Sequence, residues 1–365
     1  MMSAPVRLGP SAHPESQALV ADATTVVGAG PAQWLSLAQQ WGPRLPLPGH
    51  GQTLLRWELL ASVGAVDLSI ARTLEPHADA LAILAEAGLP TPDGPRPGQP
   101  GVSPDDAERT WGVYAAEGPP PRLEASRRDA VAGPWLLTGT KPWCSLAGHV
   151  TDALVTAWLD GEQTRGLFAV SLRAAEVHPE PVAWVSRGLT DIVSAPVTFD
   201  GATAHLVGSP GWYLGRDGFA WGGIGVAAVW FGAAVALARR LRSPAVRRPP
   251  DQLHLAHLGA VDVALTGARC ALAEAAAAVD GGHAGGPAGE LLALRVRGVV
   301  ADAVDRVLRH VDRALGPGPL TQEEEHARRV ADLQIYRRQH HAERDDATLG
   351  ARLLPVTDDR SSDPW

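Results

Sequence analysis

Lysine and cysteine are nearly absent from this sequence. Lys141 is the only lysine among 32 basic residues, and Cys144 and Cys270 are the only cysteines. Two cysteines provide neither a disulfide framework nor the ligand spacing of a metal site, so we expect a reducing cytoplasm and no bound metal. The net charge of −8 at pH 7 argues against a broad nucleic-acid surface. A small molecule or a protein is the expected partner.

The sequence also lacks the apolar core of a signal peptide near its N-terminus and has one long uncharged run. We therefore expect a chain that is not exported. The run FAWGGIGVAAVWFGAAVALA, residues 219–238, has the 20 residues that a transmembrane helix needs. Gly222, Gly223 and Gly225 weaken its first turns, and no second apolar run accompanies it. These features predict a buried helix with close helix packing at its glycines, and no membrane span.

Hydrophobic spacing divides the chain into three parts. Residues 53–88 carry apolar side chains at helical spacing, and Pro76 predicts an interruption there. The proline- and glycine-rich stretch 89–106 cannot hold a helix or a central strand, so it predicts a boundary. The first part is therefore predicted to be an N-terminal helical domain, residues 1–108.

The pattern changes twice after this boundary. Short alternating or apolar runs such as WLLTGT, DALVTAWL and RGLFAVSL predict strands joined by tight turns, which form a middle β domain at 109–208. Helical spacing then returns and predicts a C-terminal helical bundle at 209–354, followed by a frayed tail at 355–365. The predicted fold class is α+β in several parts, with a β-barrel or sandwich between two helical parts.

The stretch LTGTKPWCSLAG, residues 137–148, places Trp143 and Ser145 at the end of a predicted strand. An aromatic face can shield a flat ring from water, and a hydroxyl can bond the ring's electron-accepting atom. This stretch and the helical, β, helical order resemble the acyl-CoA dehydrogenase family of flavoproteins, whose strand reads G-x-K-x-W-I-T-N. The resemblance implies that Trp143 covers a flavin and that Ser145 bonds it.

The resemblance also implies FAD as the cofactor and α,β-dehydrogenation of an acyl thioester or a related small substrate. Family members share the cofactor across a dimer, so a homodimer or homotetramer is expected, together with a possible electron-transfer partner. The sequence ARRLRSPAVRRPPDQ stands where the family clamps the flavin's diphosphate and adenine. Arg242 and Gln252 are the predicted contacts, and Arg239, Arg240, Arg247 and Arg248 offer further guanidinium groups.

A last match covers residues 315–345, which align without a gap on the family stretch G-G-x-G-[YF]-…-R-D-A-R-…-Y-E-G. Gly316 and Gly318 are predicted to contact the cofactor, and Asp332 falls on the family's aspartate. The position of the catalytic glutamate falls on His340, whose free imidazole, with an ordinary pKa of ~6.5, could accept a proton. If the segment is helical, His341 points about 100° away, so His340 is expected to face the flavin and His341 to serve structure or an interface.

Two other functions fit the departures from the family. A histidine in place of the glutamate is found in flavin monooxygenases of the same fold. Ala116, Pro317 and Pro319 replace residues that the family uses at its cofactor and substrate, and the Phe-Gly pair of its R-x-Q-F-G motif is missing. These changes would also suit a degenerate partner subunit that binds little or no flavin.

Overall fold

The computed structural model describes residues 4–89, 109–120, 122–127, 134–159, 163–243 and 249–354. Nearly all of the predicted linker 89–106, the predicted tail 355–365, and Arg247 and Arg248 lie outside these segments. The described segments run from helices through strands back to helices, as the hydrophobic spacing predicted. The domain bounds drawn from the sequence stay a prediction.

Four helices form the N-terminal part. They are α1 (Pro14–Thr25), α2 (Pro31–Trp41), α3 (Thr53–Val66) and α4 (Leu68–Glu86). The break within 53–88 was predicted at Pro76, but it lies at Asp67, whose Oδ1 accepts hydrogen bonds from the amides of Ser69 and Ile70 at 2.8 and 3.1 Å. An aspartate in this position satisfies two unpaired donors at the start of α4. Pro76 lies inside α4, which continues past it.

The middle part is a closed barrel. Its strands are β1 (Trp111–Tyr114), β2 (Glu124–Arg127), β3 (Trp135–Ser145), β4 (Asp152–Leu159), β5 (Arg165–Ser171), β6 (Val177–Pro179) and β7 (Ser194–Val207). The ring closes in the order β2, β3, β7, β5, β4 and back to β2, while β1 pairs with β4 and β6 with β7. Of the two predicted forms, barrel and sandwich, the structure has the barrel.

The single lysine of the chain lies inside this barrel. Lys141 is 1% exposed, and its Nζ donates at 2.8 Å to Glu117 Oε1 and to both the carbonyl and the hydroxyl oxygen of Thr156. All three protons of the ammonium group therefore have acceptors, which offsets the cost of burying its charge. Lys141 has a structural role in holding β3 to β4.

The C-terminal part is a helical bundle around one central helix. Its helices are α5 (Trp212–Gly215), α6 (Asp217–Arg242), α7 (Gln252–Asp280), α8 (Gly286–Leu315), α9 (Gly318–Gln322), α10 (Glu324–Tyr336) and α11 (Glu343–Leu353). The most apolar stretch of α6 is 67% buried, so this helix is a core element, as predicted. Gly232 packs against the backbone of Ala61, and Gly64 packs against Val229, so α3 and α6 cross at close range without side chains between them.

Helix α7 departs from the sequence analysis. Among the described residues, α6 and α7 are both long and apolar enough to cross a membrane by length and composition. The prediction that no second apolar run accompanies residues 219–238 was therefore wrong. Only 22% of the apolar stretch of α7 is buried, and Leu253, Leu255 and Val263 are more than half exposed. Alanine and glycine make up much of this helix, so its sequence shows no run of large apolar side chains.

Helix α10 holds the three parts together. Arg328 forms an ion pair with Asp67 at the start of α4, and Arg329 donates to the carbonyls of Ala65 and Val66 at the end of α3. Asp332 accepts a hydrogen bond of 2.5 Å from the amide of Leu189 in the loop between β6 and β7. The start of α4 and this loop of the barrel are thereby kept in fixed relation to the bundle.

Candidate functional site

The end of β3 is the most strained stretch of described backbone. Trp143 and Leu146 have φ of +60° and +56°, values that bulky side chains rarely adopt. The pairing of β3 with β7 shifts register between Lys141 and Cys144, which places Trp143 in a bulge. Its side chain is 63% exposed, although most large apolar side chains of the barrel are buried. Strained backbone of this kind concentrates at functional sites.

Ser145, two residues further on, connects β3 to the first helical part. Its Oγ lies 2.8 Å from the Oγ of Ser194, and Arg72 Nη2 donates to the same Oγ at 3.0 Å. Its carbonyl accepts a hydrogen bond of 3.0 Å from the hydroxyl of Tyr114. The hydroxyl of Ser145 is therefore held by two side chains, one of them an arginine of α4, and the backbone of the same residue is held by a third.

That arginine begins a stripe of charged side chains on α4. Arg72, Glu75 and Asp79 recur at helical spacing on one face, and Arg72 Nη1 lies 3.4 Å from Glu75 Oε2. Asp79 faces Gly222 of α6, where an added Cβ would lie 3.2 Å from Oδ1. On the other side of α6, Arg297 of α8 donates to the carbonyl of Gly223 at 2.7 Å.

We call the space between these three helices the charged cleft, defined by Arg72, Glu75, Asp79, Gly222 and Arg297. Glu75 is buried, whereas Arg72, Asp79, Gly222 and Arg297 are half-buried. Gly222 has no side chain, which allows the carboxyl of Asp79 to pack closely against α6 at this point. The cleft adjoins the end of β3 through the contact of Arg72 with Ser145.

Burial dominates the electrostatics of the cleft. It raises the pKa of Glu75 to about 7, and the neighbouring carboxyl of Asp79 adds to the rise while Arg72 opposes it. Burial raises the pKa of Asp79 as well, against the opposing charges of Arg216 and Arg56. Burial also lowers the pKa of Arg297. Glu75 therefore exchanges its proton near neutral pH, which an ordinary surface carboxyl does not.

Three buried polar atoms beside the cleft have no hydrogen-bond partner among the described residues. They are Nε1 of Trp230, the hydroxyl oxygen of Tyr336 and Nε2 of His340. Trp230 lies under the guanidinium of Arg297, 5.0 Å from its ring centroid, and packs edge-on against Tyr336. The guanidinium of Arg72 lies 5.1 Å from the ring centroid of Tyr336 on the other side. Unsatisfied buried groups are rare, and here they suit a polar ligand.

His340 lies beside Arg297, but not on a helix. The chain forms a 3₁₀ turn at Arg337–Gln339, and α11 begins only at Glu343. The predicted helix across the histidine pair is therefore wrong, because Ala342 has a φ of +51° and Asp345 accepts the amide hydrogen of His341 at 3.0 Å. The side chain of His340 is 10% exposed and that of His341 is 64% exposed.

The hydrogen bonds of His340 indicate its tautomer. Nδ1 accepts a hydrogen bond from the amide of Ala342 at 3.2 Å, so a neutral imidazole carries its proton on Nε2. Burial lowers the pKa of His340, although Asp345 opposes this effect. Nε2 lies 3.8 Å from Asp345 Oδ2, which is beyond hydrogen-bond distance. At neutral pH His340 therefore presents a buried N–H donor.

Comparisons with known proteins were made by sequence and by structure. No family model and no curated protein matches the sequence. Solved structures do match over almost the whole chain. Butyryl-CoA dehydrogenase from Megasphaera elsdenii is 14% identical, with a TM-score of 0.75 over 95% of this chain and 100% of that one. The chain has the acyl-CoA dehydrogenase fold.

Two other structures with the acyl-CoA dehydrogenase fold match equally well. KijD3, solved with FMN and a dTDP-linked amino sugar, is 16% identical, with a TM-score of 0.74 over 94% of each chain. TdsC from Paenibacillus sp. A11-2, solved with FMN, is 17% identical, with a TM-score of 0.74 over 93% of this chain and 96% of that one. At these identities the likeness shows the fold and not the reaction.

The remaining predicted residues lie at another end of the acyl-CoA dehydrogenase fold. Arg242 ends α6, Gln252 begins α7, Gly316 follows α8 and Gly318 begins α9. At this end, Arg240 donates two hydrogen bonds to the carboxylate of Glu323, at 2.7 and 2.6 Å. The 20 residues from Gly222 to Arg242 span ~30 Å of helix, so these four residues do not contact the charged cleft of the same chain.

This second group is open to solvent. Arg242 and Gln252 are exposed, and a Cβ on Gly316 or Gly318 would meet nothing within 4 Å. Gly316 has a φ of +65°, which accounts for a glycine at that position. Nearby, Nδ1 of His257 lies 2.9 Å from Nδ1 of His310. Among the described residues, no group of three or more His, Cys, Asp or Glu side chains could hold a metal ion.

The sequence analysis missed Arg72, Glu75, Asp79 and Arg297. A signal was present in α4, where charged residues recur at positions 72, 75 and 79 of an otherwise apolar helix. Charged side chains within a buried helix are uncommon unless they are paired or functional. Arg297 gave no such signal, because α8 carries many arginines on its exposed face.

Proposed function

We propose that this protein is a flavin-dependent oxidoreductase that acts on a small polar substrate in the charged cleft. The observation that carries the proposal is the end of β3, where an exposed, strained Trp143 stands two residues from a hydroxyl that is fixed by Arg72. The acyl-CoA dehydrogenase fold adds support, since the structures it matches include flavin complexes.

The residues at this site fit a flavin ring. The indole of Trp143 is largely exposed and can stack on a flat ring. The hydroxyl of Ser145 is already oriented by Ser194 and Arg72. The aromatic face would exclude water and the hydroxyl would bond the ring edge. A bound flavin would supply a two-electron acceptor at the mouth of the cleft.

The lining of the cleft favours a polar substrate over a long acyl chain. Hydrocarbon packed against Glu75, Asp79 and Arg297 would remove water from these groups without replacing its hydrogen bonds. A small substrate with hydroxyl, amino or carbonyl groups would instead pair with them. The Nε2–H of His340 is then available to donate a hydrogen bond to a substrate carbonyl or hydroxyl oxygen. We therefore assign His340 a catalytic role as a donor.

We propose FAD in preference to FMN, held between two copies of the chain. Arg242, Gln252, Gly316 and Gly318 would bind the diphosphate and adenine, but they lie at the opposite end of the helical bundle from the cleft of their own chain. A second copy could bring its own set to the ring held by Trp143. FMN lacks the second phosphate and the adenine, so it would not need these four residues.

Exposed apolar side chains of α7 support the same assembly. Leu253, Leu255 and Val263 are 72%, 51% and 63% exposed on a helix that also provides Gln252. Exposed apolar surface of this kind can mark an interaction site. We propose that a second copy covers it in a homodimer or homotetramer, in the cytoplasm, with a separate protein accepting the electrons.

Flavin binding tests the proposal directly. Purified protein is mixed with FAD or FMN, unbound flavin is removed, and the retained flavin is measured after denaturation. We expect FAD to be retained by the wild type, less by Ser145→Ala and Arg242→Ala, and fully by the control Thr203→Ala on an exposed strand position. Protein that stays colourless with both flavins would overturn the proposal. Equal loss of FMN in Arg242→Ala would contradict the role given to Arg242.

The reaction type is tested by adding candidate substrates to the flavin-loaded protein without oxygen. Loss of flavin absorbance under these conditions supports dehydrogenation, because the substrate alone then reduces the flavin. Product that forms only when oxygen and an external reductant are supplied would contradict dehydrogenation. It would also assign the chain to the monooxygenases of this fold.

A further inference from the structure

Glu75 is surrounded by charged and phenolic groups from five helices. Facing it are Arg56 of α3, Arg72 and Asp79 of α4, Tyr213 of α5, Arg297 of α8 and Tyr336 of α10. A buried carboxylate among arginines would ordinarily form a close ion pair. Among the described residues, Glu75 has only one such contact, the 3.4 Å ion pair with Arg72.

The arginines around Glu75 donate mainly to other groups. Arg56 donates to the carbonyl of Pro46 at 3.0 Å, and Arg297 donates to the carbonyls of Gly223 and Gln339, each at 2.7 Å. Arg72 directs Nη2 to Ser145 and lies at a long 3.4 Å from Glu75 through Nη1. Glu75 is therefore stabilised by nearby positive charge without being fixed in one bidentate pair.

The position of Glu75 suits contact with a ligand. It lies one helical turn from Arg72, which meets Ser145, and one turn from Asp79, which packs against Gly222 of α6. The side chain of Glu75 is 10% exposed, so it can be reached from the cleft. A substrate between α4, α6 and α8 would touch Glu75 and lie beside the site at the end of β3.

We propose that Glu75 is the acid–base residue of the charged cleft, where it takes a proton from an O–H or N–H group of a polar substrate and later returns it. In this step an O–H bond forms on Glu75 as the substrate bond breaks. The bonding electron pair stays on the substrate atom, and no further reactant is needed. The proposal depends on the proposed function only for the oxidation that follows.

The titration of the groups in the cleft supports this assignment. A pKa of about 7 for Glu75 gives comparable amounts of acid and base at neutral pH, which is where proton exchange is most effective. Burial raises the pKa values of Tyr213 and Tyr336 above their usual range, so neither phenol can accept a proton. His340 already uses Nδ1 as an acceptor and has its proton on Nε2.

Infrared spectroscopy of the flavin-free protein measures the protonation of Glu75 without any cofactor. We expect a carboxylic acid C=O band in the wild type that disappears as pH rises through neutrality and that is absent in Glu75→Gln. Asp79→Asn should move this loss to lower pH, because the negative charge that disfavours ionisation of Glu75 is removed. Glu324→Gln, an exposed control, should leave the band unchanged. The proposal is overturned if the band that titrates through neutrality is as strong in Glu75→Gln as in the wild type; any weaker band that remains belongs to Asp79 or Asp332, whose pKa values burial also raises.

Turnover by the flavin-loaded protein gives the second readout. kcat/KM should rise with pH as Glu75 ionises. Glu75→Gln should lower kcat/KM at least ~100-fold, while the variant keeps its flavin and its circular dichroism spectrum. Glu75→Asp should restore part of the rate and shift the pH profile. Full activity in Glu75→Gln would reject the acid–base role. If no flavin binds at all, the proposed function fails, whereas the infrared result still decides the protonation of Glu75.

Discussion

Two substitutions of Trp143 separate backbone strain from the contribution of the indole ring. Trp143→Gly and Trp143→Ala both remove the ring, so they lose the same buried area. They differ in the backbone, because a φ of +60° is readily adopted by glycine but not by alanine. The comparison therefore isolates the cost of holding a side chain in the left-handed region.

The expected difference follows from two opposing terms. The left-handed conformation costs a residue with a Cβ roughly 1–2 kcal/mol. Glycine, in turn, loses more conformational freedom on folding, by roughly 0.5–1 kcal/mol relative to alanine. The strain term is larger, so we expect Trp143→Gly to have a free energy of unfolding about 1 kcal/mol higher than that of Trp143→Ala.

The assay is denaturant unfolding of the flavin-free variants, followed by a measurement of flavin retention. Thr203, an exposed residue of β7, serves as the matched control, where alanine should be the more stable of the same two replacements. Both Trp143 variants should retain less flavin than the wild type, and to the same extent. If alanine is also the more stable at position 143, the strain argument is refuted. Undiminished flavin retention would refute the role of the ring.

Three further predictions concern other parts of the molecule. His77 is buried and accepts the amide hydrogen of Trp111 at 3.2 Å, and burial lowers its pKa to about 4. The unfolded chain therefore takes up the proton first as pH falls, so about 3 kcal/mol of unfolding free energy should be lost between pH 6.5 and 4. His77→Asn should remove that loss, as denaturant titrations at several pH values would show. If the unfolding free energy of His77→Asn depends on pH as that of the wild type does, the assignment is contradicted. Val263→Glu on the exposed face of α7 should reduce the assembly size in light scattering, and an unchanged mass would place the interface elsewhere. His340→Ala should lower turnover at least ~10-fold with flavin retained, whereas His341→Ala should change it little, and equal effects would remove the distinction between them.

Local pattern was sufficient for the order of elements. Alternation predicts strands and helical spacing predicts helices because both patterns depend on neighbours within a few residues. Trp143 and Ser145 were singled out by the resemblance of one strand to a known family, and their contact with a flavin stays a prediction. The burial of residues 219–238 was also predictable, because a long uncharged run with glycines suits a core helix.

The histidine pair was predicted in part. An ungapped alignment marked His340, but the helix expected across the pair depends on backbone conformation at Ala342 and on the carboxylate of Asp345. Such capping contacts compete with helix propensity and are decided only when the segment packs. Whether His340 takes part in catalysis is still a prediction.

Only the tertiary structure assembled the charged cleft. Arg72 and Glu75 lie more than 140 residues before Gly222 and more than 220 before Arg297, and no local pattern relates positions so far apart. Packing of α4 and α8 against α6 brings them together, and the same packing removes the water that would keep Glu75 an ordinary acid. The sequence by itself determined which helices and strands form and where an aromatic and a hydroxyl stand on β3. The electrostatics of the cleft arise from burial, which exists only after the helices have met.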